Sequence, residues 1–191
     1  VDPVGGQHGT LQLGTAFDLG VRHQAFAFDG VNDYVLIPDS AVLDSLSTTA
    51  TVDAWIKPEV PVGAEGWIFS RRDPFVSEGF SVALLQDGRM QLTVRTTTSP
   101  TVSGSTFRST APVIIFGQWQ HVAAAVDTVA GTAQLWVNGQ PLTLTTVFGP
   151  ATLSGTLSNV NQQYLGRRQD PNTAGGGGHF KGEIDEVRLY G

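Results

Sequence analysis

The sequence predicts an all-β fold, two antiparallel sheets packed face to face as a β-sandwich of the jelly-roll type. Three observations carry that prediction. Apolar residues come in short runs that mostly alternate with polar ones, the period of a strand with one face buried. Turn dipeptides punctuate the runs, among them Asp29-Gly30, Asp87-Gly88 and Asn138-Gly139, and the last two sit between apolar runs as hairpins. Nothing sustains the 3.6-residue period of a helix.

Taken in order, strands are expected over residues 25–28, 34–37, 51–56, 67–70, 80–85, 90–96, 119–127, 133–137, 163–166 and 183–190. Residues 40–46 supply the one helical hint, long enough for a turn or two. Ten or more short strands at this spacing fill two sheets, and in such a sandwich sequence-distant terminal strands can lie side by side. The segment from Thr96 through Ser105 is rich in Ser and Thr and holds Pro100 and Gly104, and it reads as a loop, a mobile lid or a plain connection.

Composition bounds the function. With 191 residues, 23 Gly, 10 Pro and 40% hydrophobic residues, the chain can bury a core while turning often, and no linker-like stretch divides it, so 1–191 reads as a single domain. A net charge of −6 argues against a polyanionic partner, since nucleic-acid binders carry a clustered basic face. No cysteine is present, which excludes disulfides and thiolate metal or nucleophile chemistry. No apolar run approaches the roughly 20 residues of a membrane helix. Val1-Asp2-Pro3 has neither region of a signal peptide, as expected of a module excised from a larger chain.

Two segments concentrate hard oxygen donors. Phe28-Asp29-Gly30-Val31-Asn32-Asp33-Tyr34 and the closing Gly182-Glu183-Ile184-Asp185-Glu186-Val187-Arg188 each set carboxylates beside a strand-like run. Ca²⁺ takes about six to eight oxygens, so neither segment fills a shell by itself. If the fold brings them together, Asp29, Asp185, one of Asn32 or Asp33, backbone carbonyls and water suffice. Asp and Asn beside Gly equally mark turns that hold no metal.

Several segments match a known family in order and spacing. They are His8-Gly9-Thr10-Leu11, Ala27 through Val35, Thr51-Val52-Asp53-Ala54-Trp55-Ile56-Lys57-Pro58, Gly117-Gln118-Trp119-Gln120-His121-Val122-Ala123, Leu135-Trp136-Val137-Asn138-Gly139 and Gly182 through Tyr190. Over nearly its whole length the chain resembles the laminin-G-like jelly-roll domains of the concanavalin A-like lectin and glucanase superfamily. The resemblance implies secretion or a cell-surface location, and a structural calcium ion near Asp29 and Asp185.

The same superfamily contains glycoside hydrolases, whose active strand reads Glu-x-Asp-x-Glu or Glu-x-Asp-x-x-Glu. Glu183-Ile184-Asp185 begins like that motif, but the second Glu falls on Val187 or Arg188. Retaining hydrolysis needs two carboxyl groups about 5 Å apart. No catalytic residues are therefore expected. The four histidines show no zinc-like pairing, and no Gly-x-Ser-x-Gly elbow occurs. His121 reads as a core or interface histidine satisfied locally. Trp55, Trp119 and Trp136 read as core, and Trp67, following Gly63-Ala64-Glu65-Gly66, as partly exposed.

Binding would then fall to loops on a rigid scaffold. Two run Arg-Arg and then Asp-Pro: 71–78, with Arg71, Arg72 and Phe75, and 167–179, with Arg167, Arg168, Asp170 and His179. Guanidinium forks, carboxylates and rings, with Trp67 nearby, grip sugar hydroxyls or acidic groups. Surface ion pairs with the adjacent aspartates explain the same charges. The tetraglycine run 175–178 reads as a flexible loop. The expected function is a non-catalytic carbohydrate-binding or adhesion module, monomeric within a multidomain chain, with a carbohydrate or cell-surface protein as partner. A protein-interaction or spacer domain is the alternative, and a glycoside hydrolase a distant third.

Overall fold

Strict alternation sets the centre of one sheet. In the computed structural model, which describes residues 6, 8–71, 78–98, 101–158, 161–168 and 178–191, the strand Thr49–Pro58 buries Ala50, Val52, Ala54 and Ile56 and turns Asp53, Trp55 and Lys57 outward. Side chains on a strand point alternately to opposite faces, so one apolar stripe of period two commits the whole strand.

In chain order the strands are β1 (Thr10–Gln12), β2 (Ala16–Leu19), β3 (Gln24–Asp29), β4 (Tyr34–Ile37), β5 (Thr49–Pro58), β6 (Glu65–Arg71), β7 (Gly79–Leu85) and β8 (Met90–Thr98). They continue as β9 (Thr101–Ser109), β10 (Gln120–Asp127), β11 (Thr132–Val137), β12 (Gln140–Pro141), β13 (Leu144–Phe148), β14 (Gln163–Leu165) and β15 (Lys181–Tyr190). A single helical turn, α1 (Ala41–Asp44), follows Ser40 and falls inside the 40–46 expectation.

One sheet has eight strands in the order β1-β4-β14-β6-β7-β8-β9-β13, and the other seven in the order β12-β11-β10-β5-β15-β3-β2. All named strand pairs are antiparallel. The last strand, β15, lies between β5 and β3, so the ends of the sequence do meet inside one sheet. At Asn138-Gly139 both residues have positive φ, 49° and 75°, the type I′ geometry of a two-residue hairpin joining β11 to β12.

Between the sheets, Ile56, Ile184 and Leu135 face Leu84, Leu92, Val94 and Phe69, all nearly inaccessible to water. The terminal strand keeps its apolar side in this core despite a register shift between Asp185 and Arg188. Glu186, at φ 49°, is the residue that absorbs the bulge, and Leu189 returns to pack against the core.

Two sequence expectations need correction. Most of 96–105 is not a loop, because β8 and β9 continue as a hairpin in which Thr97 pairs with Val102 and Thr98 with Thr101. Thr is β-branched and favours strands, which composition read as loop chemistry had hidden. The tryptophans are also reversed. Trp55, Trp119 and Trp136 are half-buried, whereas Trp67 is 1% exposed. Their apolar neighbours occupy the inward positions, so Trp55 stands on the outer face with its ring 5.5 Å from that of His121. His121 Nε2 lies 3.1 Å from Asp53 Oδ1, which satisfies it locally.

Candidate functional site

The two oxygen-rich segments close turns of their own. Asp29 Oδ1 accepts the Val31 and Asn32 amides at 2.7 and 3.4 Å. Asp33, 3% exposed, accepts Gly14 N–H on Oδ1 at 2.8 Å and Asp29 N–H on Oδ2 at 3.0 Å, tying the β3–β4 turn to the segment after β1. Asp185 accepts Arg22 N–H at 2.9 Å and Glu186 N–H at 2.8 Å. Gly20 permits that closure, since a Cβ there would stand 2.5 Å from Asp185 Oδ2 and 2.9 Å from the Ala25 nitrogen.

The residues expected to share one calcium shell, Asp29, Asp185 and one of Asn32 or Asp33, are not brought together. Lys181 of β15, not Asp185, is the register partner of Asp29. Asp185 stands four residues farther along β15, which is ~13 Å at about 3.3 Å per residue. Ligands on one Ca²⁺ lie ~5 Å apart or less, given bonds of about 2.3–2.6 Å. Asn32 belongs to the Asp29 turn and has an exposed side chain. Among the described residues, no group of three or more His, Asp or Glu side chains could hold a metal. As a set, Asp29, Asn32, Asp33 and Asp185 do not fit the ion.

The paired arginines also part company. Arg71, 2% exposed, turns inward and pairs with Asp44 at 3.0 Å and Asp39 at 3.5 Å, joining β6 to the α1 segment rather than facing solvent. Arg72, Phe75 and Asp170 lie outside the described residues. Arg167 stacks over Tyr34 and Tyr164, 4.1 and 5.0 Å from their ring centroids. Arg168 turns the other way and lies 4.9 Å over Trp67. His179 is buried and bridges to Trp67.

Trp67 and Arg168 line a groove on the outer face of the eight-stranded sheet. Met90, Leu92 and Val94 of β8 point into the core, so Gln91, Thr93 and Arg95 stand outward. On β9 the register sets Arg108 beside Gln91, Thr106 beside Thr93 and Gly104 beside Arg95. A register shift in β13 between Thr146 and Phe148 brings both Val147 and Phe148 to one lip. Glu65, Trp67 and Arg168 form the opposite wall, and the groove holds about 350 Å³, within the ~300–1,000 Å³ usual for ligand sites.

Its polar groups are pre-ordered. Gln91 Nε2 donates to Glu65 Oε1 at 2.9 Å, and its Oε1 accepts Arg108 Nη2 at 2.6 Å and Nε at 3.3 Å. Phe148 is 66% exposed and gives the lip an apolar face. Trp67, expected to be the exposed platform, is instead covered by Arg168 and the backbone at Gly178, whose carbonyl accepts the Trp67 amide. Sequence reading missed Phe148, Arg95, Arg108 and Gln91, because the register of β8, β9 and β13, rather than closeness in sequence, sets them on one face. The sole signal was the outward phase of β8.

The carboxylates of the hydrolase-like motif are elsewhere. Glu183 pairs with Lys57 at 3.2 Å and Asp185 with backbone amides, both on the seven-stranded sheet. Among the described residues, no helix is long and apolar enough to cross a membrane.

Comparison with known proteins places this architecture. Among solved structures, the chain is similar to domain 4 of AbnA, a GH43 extracellular arabinanase from Geobacillus stearothermophilus, in complex with arabinotriose. That likeness has 26% identity, a TM-score of 0.61, and covers 95% of this chain and 81% of that one. It is similar in fold to the Ruminococcus gnavus IT-sialidase CBM40 bound to alpha2,3 sialyllactose, with 13% identity, a TM-score of 0.62 and coverage of 87% and 88%. Mouse laminin alpha1 domains LG4-5 share the fold at 14% identity and a TM-score of 0.59, covering 86% of this chain and 40% of that one. No curated protein matches. A laminin G family model matches residues 29–191, and by that match the chain belongs to the Concanavalin A-like lectin/glucanases superfamily.

Proposed function

We propose that the chain is a non-catalytic carbohydrate-binding module that takes its saccharide in the groove on the outer face of the eight-stranded sheet. The observation that carries this reading is the pairing of an exposed ring, Phe148, with pre-ordered polar groups across about 350 Å³. A sugar ring has an apolar C–H face and a rim of hydroxyls. The first loses water against an aromatic ring, and the second needs donors and acceptors already in place. Gln91, Arg108, Thr93 and Thr106 offer both kinds. Two similar structures are complexes with saccharides, arabinotriose and sialyllactose, which supports the reading by analogy.

The non-catalytic part rests on carboxylates. Glu65 is the one carboxylate lining the groove among the described residues, whereas glycoside hydrolysis by the usual route needs two. A location outside the cell, in a larger adhesive or polysaccharide-directed protein, is part of the proposal. The test is a glycan array in calcium and again in EDTA, with Phe148→Ala alongside. Binding to a related set of glycans that Phe148→Ala abolishes supports the groove. A blank array from folded protein defeats the reading.

One observation favours a second reading, a protein-interaction or spacer domain. Along and beside the edge strand β2, Phe17, Leu19 and Val21 are 50%, 81% and 41% exposed, and Leu13 is 72% exposed. An apolar edge of this kind suits a polypeptide partner better than a sugar.

A further inference from the structure

We infer that the groove is specific for acidic saccharides, sugar chains bearing anionic substituents, and that Arg95 and Arg108 are the residues that grip them. This deepens the carbohydrate-binding reading and rests on it.

The first ground is charge. The chain has 17 Asp and Glu against 11 Lys and Arg, yet among the described residues the groove is lined by three arginines, Arg95, Arg108 and Arg168, and one acid, Glu65. Among those described residues the acidic excess of the whole molecule is reversed. A cleft lined by one sign of charge focuses its potential on the ligand that enters.

The second ground is how the charges are held. Arg108 is oriented by the neutral carboxamide of Gln91, its charge also felt by the Asp87 carboxylate, and only two of its five N–H donors are used by Gln91. Glu65, the groove's one acid, is engaged by Gln91 Nε2. Among the described residues the Arg95 guanidinium has neither an ion-pair nor a hydrogen-bond partner, although the residue is half-buried in the wall. By contrast, Arg71, Arg89 and Arg188 all pair with Asp or Glu. A guanidinium left open in a groove presents a planar fork that matches a carboxylate or sulfate bidentately.

The third ground is spacing. Arg95 and Gln91, the register partner of Arg108, are separated by four residues on β8, or ~13 Å of strand. Between them the Thr93 and Thr106 hydroxyls stand 3.4 Å apart. Two anion sites at the ends and hydroxyls between them fit an extended saccharide with repeated charges better than a lone anion. Uronate carboxylates and sulfate esters share this chemistry.

The experiment is calorimetric titration of the 191-residue chain with pentagalacturonate, its methyl ester, a neutral galactan pentamer and a sulfated dextran oligomer, at fixed ionic strength. Arg95→Gln, Arg108→Gln and Phe148→Ala are run beside it, each checked for unchanged circular dichroism. The expected result is binding of the free-acid or the sulfated ligand, weakened about ten- to a hundredfold by either arginine substitution. The ester and the neutral pentamer should bind at least about tenfold more weakly, the loss of one charge-assisted hydrogen bond. Which anionic ligand binds tells carboxylate from sulfate. Equal affinity for the ester and the free acid, lost on Phe148→Ala, overturns the acidic specificity and leaves the carbohydrate reading standing. Anionic binding indifferent to both arginines places it elsewhere and overturns the assignment. No binding by any arm, together with a blank glycan array, overturns both.

Discussion

Replacing Asp33 by Ala separates turn chemistry from metal chemistry. The carboxylate is 3% exposed, and its two oxygens each accept one backbone N–H, from Gly14 at 2.8 Å and Asp29 at 3.0 Å. A hydrogen bond to a charged group contributes about 1.5–3 kcal/mol, and two part-buried ones are lost, so the variant should lose about 4 kcal/mol. For a domain of this size, each kcal/mol lowers Tm by about 2–4 °C, which predicts a fall of about 8–16 °C. Thermal melts by circular dichroism in calcium and in EDTA measure it. The fall should be the same in both, because the partners are backbone amides. A fall of under about 2 °C would refute the bonding argument. A fall seen in calcium but absent in EDTA would show that Asp33 acts through an ion.

Three further outcomes follow from named contacts. Arg71→Ala should cost about 3 kcal/mol, chiefly by removing a large buried side chain, since Asp39 and Asp44 keep contact with water, and Arg71→Met distinctly less, since an apolar side chain can refill the site; urea unfolding compares them. Gly20→Ala should cost about 1–3 kcal/mol, read as a lowered urea midpoint, because its Cβ would collide with Asp185 Oδ2 and the Ala25 nitrogen. Asp87 titrates below the ordinary carboxylate range: burial pushes it up, but hydrogen bonds from the Arg89 amide and guanidinium, with the charges of Arg89 and Arg108, outweigh that. A depressed folded pKa stabilises above the unfolded value of about 3.9 and is lost as pH falls below it. Asp87→Asn should therefore lower stability at neutral pH by under about 0.5 kcal/mol for so exposed a pair, and the difference from the parent should vanish in acid melts.

What the sequence revealed depends on how local the cause is. The alternation in β5 and the Asn138-Gly139 turn are written in consecutive residues, and both appear in the fold as read. Lying within a regular strand does not make a tryptophan core, and the phase of Val52, Ala54 and Ile56 turns Trp55 outward. The bulge at Glu186 has no signal in the residue types, since it exists to reconcile the register of β15 with β5. Calcium was drawn from two clusters whose adjacency in one sheet was foreseen, but not the register, and register decides whether neighbouring strands bring two side chains within one coordination sphere.

The groove shows the opposite limit. A net charge of −6 argues against a polyanionic partner only as a sum over the whole chain. Such a sum carries no information about where charges sit. Arg95 and Arg108 are distant enough in sequence to look like isolated surface residues, and only the β8–β9 hairpin sets them on one face. At physiological ionic strength the Debye length is about 8 Å, so a ligand lying in the groove responds to those two guanidinium groups and scarcely to carboxylates on the opposite sheet. If acidic saccharides bind, raising salt should weaken them through the local arginines, whereas the net charge of the protein would lead one to expect screening of repulsion and tighter binding. The direction of that single salt dependence decides between the local field and the global sum.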